Sequence, residues 1–491
     1  MKLISAASAL LLAYLVWASR AWPLIHDAPL MHYIAWLIAQ GGVPYRDAFD
    51  MNLPGVYLLH LAVLQVGGPG DLPWRLFDLG WLAAICGLLA AYCRHIGDGW
   101  SAAAGALLFG LYHLSGGAWH AGQRDFLLCP FLLLGAWGIA RGTEQGGSGA
   151  LISGGLALGA AMALKPHAAL YWAFCVLIAA RDRSIALSAW RAAGLVIAAG
   201  LVVPGAVFGW LAWRGGLGAF RDVFTGYVVP LYGRLARASL RQAIEGHAFG
   251  RPLILLLLIL ALLALVTPPP RQPAYKGLAV AGALYGLAHF ALQGKGWEYQ
   301  LYPLVLFGCA LAPAAVASWR RADGPRVLDL FGARRPIALA LWTLLVVVLG
   351  AKGVEALDAP WIAEKARRVA AITRDVGRLA PPGATVQVMD TTAGGIHALL
   401  RLGVRQPTRF IYDFHFFHDV GDPRIEALRA EFLRGLEAGR PAAVVILEDS
   451  WPVPGYGRLD AFPALRRTLD ESYTRAVEGA GYRIYAKRSH S

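Results

Sequence analysis

Carboxylates are scarce in the first 351 positions of this 491-residue chain, which hold 14 of its 31 acidic residues. Acid–base chemistry there has few candidates. The densest group is His26-Asp27, then an apolar run, then Gly41-Gly42-Val43-Pro44 and Tyr45-Arg46-Asp47. A carboxylate held at the edge of an apolar region can take a proton from a hydroxyl group, provided that setting tunes its pKa. Alternatively, Asp27 simply caps the helix that follows.

Three further groups carry polar chemistry. Trp119-His120-Ala121-Gly122-Gln123-Arg124-Asp125 reads either as a reactive turn or as an Arg–Asp surface pair that starts a helix. Lys165 and His167 flank Pro166 between two apolar runs, where the lysine either snorkels or meets a phosphate as a point charge. Lys295 and Glu298 stand among Trp297, Tyr299 and Tyr302. An aromatic belt explains the rings, but Gly294 and Gly296 add a backbone freedom that a belt does not need.

Other polar residues read as structural. His60, His113 and His289 look isolated on apolar faces, and the five cysteines all sit in apolar runs. His26, His32 or His120 could join Asp27 or Asp125 around a divalent ion, but no ligand spacing demands it, so the metal stays unknown. His415, His418 and Asp419 are locally metal-like, though an aromatic loop packing on the membrane or the core fits Tyr412–Asp419 better.

The elements that must position these groups are membrane helices. Hydrophobic residues make up 57% of the chain and charged residues 15%, with a mean hydropathy of +0.50, which excludes a soluble enzyme, a disordered chain and a disulfide scaffold. Eleven apolar segments read as spans: 3–19, 76–93, 100–117, 126–140, 150–164, 168–180, 192–213, 251–267, 277–293, 301–319 and 337–351. Leu53–Val66 is short for a span and carries His60 and Gln65, so it reads as an interfacial helix. The N-terminus is then cytoplasmic. The inner connections hold 13 Lys or Arg in 54 residues, against 11 in 111 outside. The net charge of +14 therefore reads as orientation and lipid contact, not nucleic-acid binding. With this topology Asp27, Asp47, Asp50, Asp71, Asp78, Asp125, Asp222, Glu245 and Glu298 face outward. The misfit is outer loop 214–250 with Arg214, Arg221, Arg234, Arg237 and Arg241; either its length frees it from the rule or its arginines face a phosphate.

Residues 352–491 hold 37 of the 76 charged side chains and read as a small α/β domain on the outer side. "TVQVMD" and "AAVVILED" are buried strands, and the helix after Asp422 is capped by it, with Pro423 in its first turn. "PALRRTLDESYTRAVEGAGYRIYAKR" reads as a helix, a glycine break and a final strand.

An acidic residue after the first span, then "PYRD…PG" and "RLFDLGWLAAICGLLAAY", resembles the membrane-integral GT-C glycosyltransferases, most of all the bacterial branch related to protein O-mannosyltransferases and lipid A aminoarabinose transferases. "GQRDFLLCPFLLL", "LKPHAAL" and "KGWEYQLYPL" follow in the expected order, and the likeness covers roughly residues 15–320. Two departures stand out: His26-Asp27 replaces a pair of acidic residues, and Leu53-Pro54-Gly55 replaces a Pro-Pro pair. The resemblance implies a polytopic α-helical membrane protein of about 11 transmembrane helices plus interfacial helices, spanning 1–351, with a C-terminal extracytoplasmic α/β domain at 352–491. It implies inverting transfer of a hexose or pentose from a polyprenyl-phosphate donor to an extracytoplasmic glycan, lipid or protein acceptor, in the bacterial inner membrane. Asp27 would be the general base and Asp125 the second acidic contributor. Arg75, Lys165 and Lys295 would meet the lipid phosphate. His26, Tyr45, Arg46, Asp47, Gln123, Arg124, His167, Trp297, Glu298 and Tyr299 would line the sugar and acceptor positions.

Two other readings stay open. A ligase or polymerase using a diphosphate-linked glycan would use the arginines of loop 214–250. A lipid-linked sugar flippase or transporter would need charges near the bilayer midplane or paired broken helices, whereas the polar groups lie mostly at the outer ends.

Overall fold

The computed structural model describes residues 2–181, 188–239, 241–242, 245, 272–320 and 334–488. The span expected over 251–267 and most of the connection 320–336 lie outside them. Helices occupy the other ten expected spans: α1 (Lys2–Ala18), α4 (Asp71–Ile96), α5 (Gly99–Ser115), α6 and α7 (Arg124–Leu127, Cys129–Gln145), α8 (Ser148–Leu164), α9 (Ala168–Arg181), α10 (Ala189–Trp213), α12 (Pro273–Gln293), α13 (Tyr302–Arg320) and α14 (Arg334–Leu357). Between α1 and α4 run α2 (Asp27–Ala39) and α3 (Pro54–Gly67); α11 is Leu217–Val223. Among the described residues five runs are long and apolar enough to cross a membrane: Asp71–Ile96, Arg124–Gln145, Ala189–Trp213, Glu298–Ala317 and Ala340–Leu379. The apolar part of the last is α14, since Pro360–Leu379 carries seven charged residues. This is a helical membrane protein with a small sheet.

The chain forms two compact units. One holds Met1–Ala21, Leu76–Val207 and Ala238–Asp358. Its helices approach closely where residues are small. A Cβ on Gly105 of α5 would lie 2.6 Å from the Cys309 carbonyl of α13, and one on Gly138 of α7 2.6 Å from the Gly154 backbone of α8. Four of the five cysteines are buried, Cys86 is half-buried, and none is paired.

The second unit gathers Trp22–Arg75, Phe208–Arg237 and Ala359–Ser491. Thus α2, α3 and the segment after α10 belong with the C-terminal residues. Here lie α15 (Pro360–Leu379), α16 (Gly395–Leu402), α17 (Pro423–Gly439) and α18 (Pro463–Ser472), with strands β1 (Val386–Met389), β2 (Ala443–Leu447), β3 (Tyr473–Gly479) and β4 (Tyr482–Lys487). Sheet order is β1-β2-β4-β3, with β1 parallel to β2 and the other pairs antiparallel. As expected, Asp422 caps α17, accepting from the Arg424 amide at 2.8 Å.

One expectation is corrected. The helix after Pro463 stops at Ser472, and Tyr473–Gly479 is a strand hydrogen-bonded to β4. The hairpin turns at Ala480-Gly481, with Gly481 at φ 79°. Pairing with β4 decides the conformation of Tyr473–Gly479, as context usually does for strands.

Candidate active site

Asp125 sits in the single turn α6, and its side chain is fully buried. Its Oδ2 is 2.9 Å from Lys165 Nζ, and its Oδ1 is 2.5 Å from His289 Nε2. With the Nε2 proton directed at Asp125, His289 Nδ1 accepts from the Tyr285 hydroxyl at 3.2 Å. Lys165 also donates to Gln293 Oε1 at 2.7 Å, and Gln300 donates to the same oxygen at 3.1 Å. The His167 ring stands edge-on to His289, with centroids 5.5 Å apart. The structure thus brings Asp125, Lys165 and His167 together. A charge pair buried among apolar helices persists only when its hydrogen bonds are satisfied, and the Gln293 and His289 contacts supply part of what this one needs.

A second buried carboxylate orders the adjoining turn. Asp78 accepts from the Gly122 amide at 2.8 Å and lies 3.1 Å from His113 Nε2, whose Nδ1 meets the Tyr302 hydroxyl at 2.7 Å. The His120 ring fills the space where Gly116 lacks a Cβ. His120, Gln123, Arg124 and Asp125 are all buried, which corrects the surface-pair alternative: Arg124-Asp125 is interior. Gly294 and Gly296 adopt φ of 61° and 68°, so the turn holding Lys295 uses the freedom of its glycines. Lys295, Trp297 and Glu298 are partly exposed there, while Tyr299 is buried.

In the other unit, Asp27 is the first residue of α2 and is partly exposed. The N-cap is His26, at φ 51°, and its side chain makes no capping bond. Asp27 is therefore not the cap, although its charge suits a helix N-terminus. The His26 ring lies 5.5 Å from Trp361 of α15, and burial holds its pKa well below the usual value, helped by Lys365.

Tyr45 and Arg75 are less available than the sequence suggests. Tyr45 is fully buried and donates to the Asn52 carbonyl at 2.5 Å. Asp50, also buried, accepts from Tyr57 at 2.5 Å and from Asn52 at 2.8 Å. Arg75 is buried over Trp22, 4.6 Å from its ring centre. Arg46 and Asp47 remain open, paired at 2.9 Å, and line a cleft of about 270 Å³ with Arg405, Thr408 and Arg409. Three of the five arginines of loop 214–250 have partners: Arg214 donates to the Gly41 and Gly42 carbonyls, Arg234 to the Pro230 carbonyl, and Arg241 pairs with Glu245.

None of the three histidines read as isolated is so. His289 meets Asp125, His113 meets Asp78, and His60 Nδ1 lies 2.9 Å from His32 Nδ1. The available signal was the spacing of His289 and Gln293, one turn apart on an otherwise apolar helix. Among the described residues no three His, Cys, Asp or Glu side chains are placed to hold a metal ion. In Tyr412–Asp419 the phenylalanines are buried, and His415 and His418 both bond the Tyr227 hydroxyl, at 2.7 and 2.8 Å.

No family model matches the chain, and no curated protein does. Among solved structures it is similar to ArnT from Cupriavidus metallidurans bound to undecaprenyl phosphate, at 15% identity and a TM-score of 0.62, covering 99% of this chain and 98% of that one. It is also similar to the archaeal oligosaccharyltransferase AglB from Archaeoglobus fulgidus, in complex with an inhibitory peptide and a dolichol-phosphate. That match has 11% identity and a TM-score of 0.51, over 99% of this chain and 74% of the other. An oligosaccharyltransferase from Archaeoglobus fulgidus in complex with Zn and sulfate matches at 12% identity and a TM-score of 0.50, over 90% and 68%. These proteins are GT-C superfamily members. The chain therefore has the GT-C fold, as its motif order led us to expect; at these identities the likeness is one of fold.

Proposed function

We propose that this protein is an inverting glycosyltransferase of the bacterial inner membrane, moving a sugar from a polyprenyl-phosphate donor to an extracytoplasmic glycan, lipid or protein acceptor. The observation that carries the reading is full-length similarity to the fold of ArnT, a structure bound to undecaprenyl phosphate. The acceptor hydroxyl gives its proton to Asp27 as its oxygen bonds to the anomeric carbon. The bond from that carbon to the phosphate oxygen breaks, and the polyprenyl phosphate leaves with the electron pair. Asp27 suits the base because it is partly exposed at a helix start, whereas Asp125 is buried and already paired. Lys165 and Lys295 are the cations assigned to the leaving phosphate. Asp125 acts on Lys165 by fixing its ammonium. A divalent ion is left to experiment. The topology proposed has the N-terminus in the cytoplasm and the sheet-bearing unit outside; that Trp22–Arg75 and the Phe208–Arg237 part of the second long loop share this unit with the C-terminal residues supports it.

The test is transfer from a panel of undecaprenyl-phosphate pentoses and hexoses to detergent-solubilised envelope extract, with and without EDTA. Asp27→Asn is expected to lower the rate by about 10²–10⁴-fold, the usual worth of a general base, with an unchanged melting temperature. Use of diphosphate donors alone would point to a ligase. Full activity of Asp27→Asn would remove Asp27 from the chemistry.

A further inference from the structure

We propose that the sheet-bearing unit carries a binding site for a phosphate monoester, in the cavity where β1 and β2 begin and β4 ends. The cavity holds about 610 Å³, and Thr385, Arg440, Lys487 and Arg488 lie on its walls. None of these residues belongs to the candidate active site, and their assignment does not depend on the transferase reading. Backbone bonds tie the strand ends together. The Ala442 amide donates to the Thr385 carbonyl at 2.9 Å, and the Lys487 amide to the Ala442 carbonyl at 3.0 Å. Side chains carried on strand ends are held more firmly than those on free loops. Arg440 caps the C-terminus of α17 at φ 38°, a left-handed position where glycine is usual and an arginine is costly. A cation therefore stands where backbone preference would put a glycine.

Charge decides the class of ligand. Three cations line the cavity, and none of its described lining residues is acidic. Among the described residues no hydrogen bond or ion pair engages the side chains of Arg440 and Lys487. Arg488 is held at the end of α18, its Nε donating to the Tyr473 carbonyl at 3.0 Å and its Nη2 to the Asp470 carbonyl at 2.8 Å. Service to helix C-termini explains part of this charge, since α15 and α17 also end at the cavity wall. Each helix end carries about half a negative charge, so three ends offset about 1.5 of the three positive charges and leave about 1.5. A phosphate monoester carries about −1.5 to −2 at neutral pH on three acceptor oxygens, which matches that excess. A carboxylate or phosphodiester, with a single charge, leaves part of it unmet. Arg440 offers a planar fork of donors and Lys487 a point charge. The volume leaves room for the group that bears the phosphate, a saccharide or a lipid headgroup.

The experiment titrates full-length protein in detergent calorimetrically with glucose 6-phosphate, inorganic phosphate and dihexanoyl phosphatidic acid, using glucose and dimethyl phosphate as controls. The three phosphates should bind and glucose should not, while dimethyl phosphate should bind at least about tenfold more weakly. Lys487→Gln should weaken phosphate binding by about tenfold or more, the usual worth of a hydrogen bond to a charged group. Arg440→Gly should do the same while holding or raising the melting temperature, because it also relieves φ at the cap. The double variant should bind none of the three. The tighter of sugar phosphate and phosphatidic acid names the source of the phosphate, and equal binding of all three confines recognition to the phosphate itself. A wild type that binds no phosphate, a double variant that binds as tightly as wild type, or dimethyl phosphate binding as well as the monoesters overturns the proposal. No turnover is measured, so each result leaves the transferase reading to its own test.

Discussion

At the scale of single residues, the Asp125–Lys165 pair makes a sharp prediction. Both charges are paired inside the helical unit, so removing one leaves the other uncompensated at a cost of about 3–5 kcal/mol. Lys165→Ala should lower the melting temperature in detergent markedly, and the double variant Lys165→Met with Asp125→Asn should recover much of the loss. A single variant as stable as wild type would show the pair to be solvated. The same residues show where sequence reading stops. Asp125 and Lys165 stood out because each interrupts an apolar run, yet His289 did not, since its partner is 164 residues away. Tyr45 erred in the other direction. A tyrosine beside Arg-Asp reads as part of a binding surface, but Asn52 takes its hydroxyl and the core takes its ring.

Among the elements, the apolar helices were legible because each is a continuous run bounded by glycine, proline or charge, a signal that needs no knowledge of partners. The β3 strand was not, because its helix-like letters are overruled by β4, a neighbour visible only once the hairpin closes. Helix contacts are equally invisible in one dimension. Gly286 of α12 faces the Leu304 backbone of α13 so closely that a Cβ would overlap it, whereas one on Gly277, on the same helix, meets nothing within 4 Å. Gly286→Ala should therefore cost about 1–3 kcal/mol by overpacking. Gly277→Ala should be neutral or stabilise by up to about 1 kcal/mol through helix propensity. Paired melting curves check both; equal shifts would mean that the α12–α13 contact yields.

For the whole molecule, acid stability should be set by buried histidines in the sheet-bearing unit. Burial draws His32 down to about 4 and lowers His26, His397 and His415. Folded, these rings stay neutral while an unfolded histidine takes up a proton below about pH 6.5. The unfolded chain then binds more protons, so stability falls as pH drops from about 6.5 towards 4, by up to about 1.4 kcal/mol per unit for each ring. Above that window the loss is absent. Melting temperatures at pH 7 and 5 should differ by several degrees, and His32→Asn should flatten the slope; identical melts would mean the rings protonate in place. The sheet-bearing unit is also stitched from three distant stretches, the last beginning at Ala359. Phe49, midway along the first stretch, donates its backbone N–H to the Arg409 carbonyl in the first half of the third. A ribosome must therefore reach Arg409 before this bond can form, although Arg214 of the second stretch meets Gly41 and Gly42 earlier. Until the third stretch is made, α2 and α3 lack the apolar partners it supplies, which makes them clients for chaperones and leaves a truncated or stalled chain open to proteolysis there.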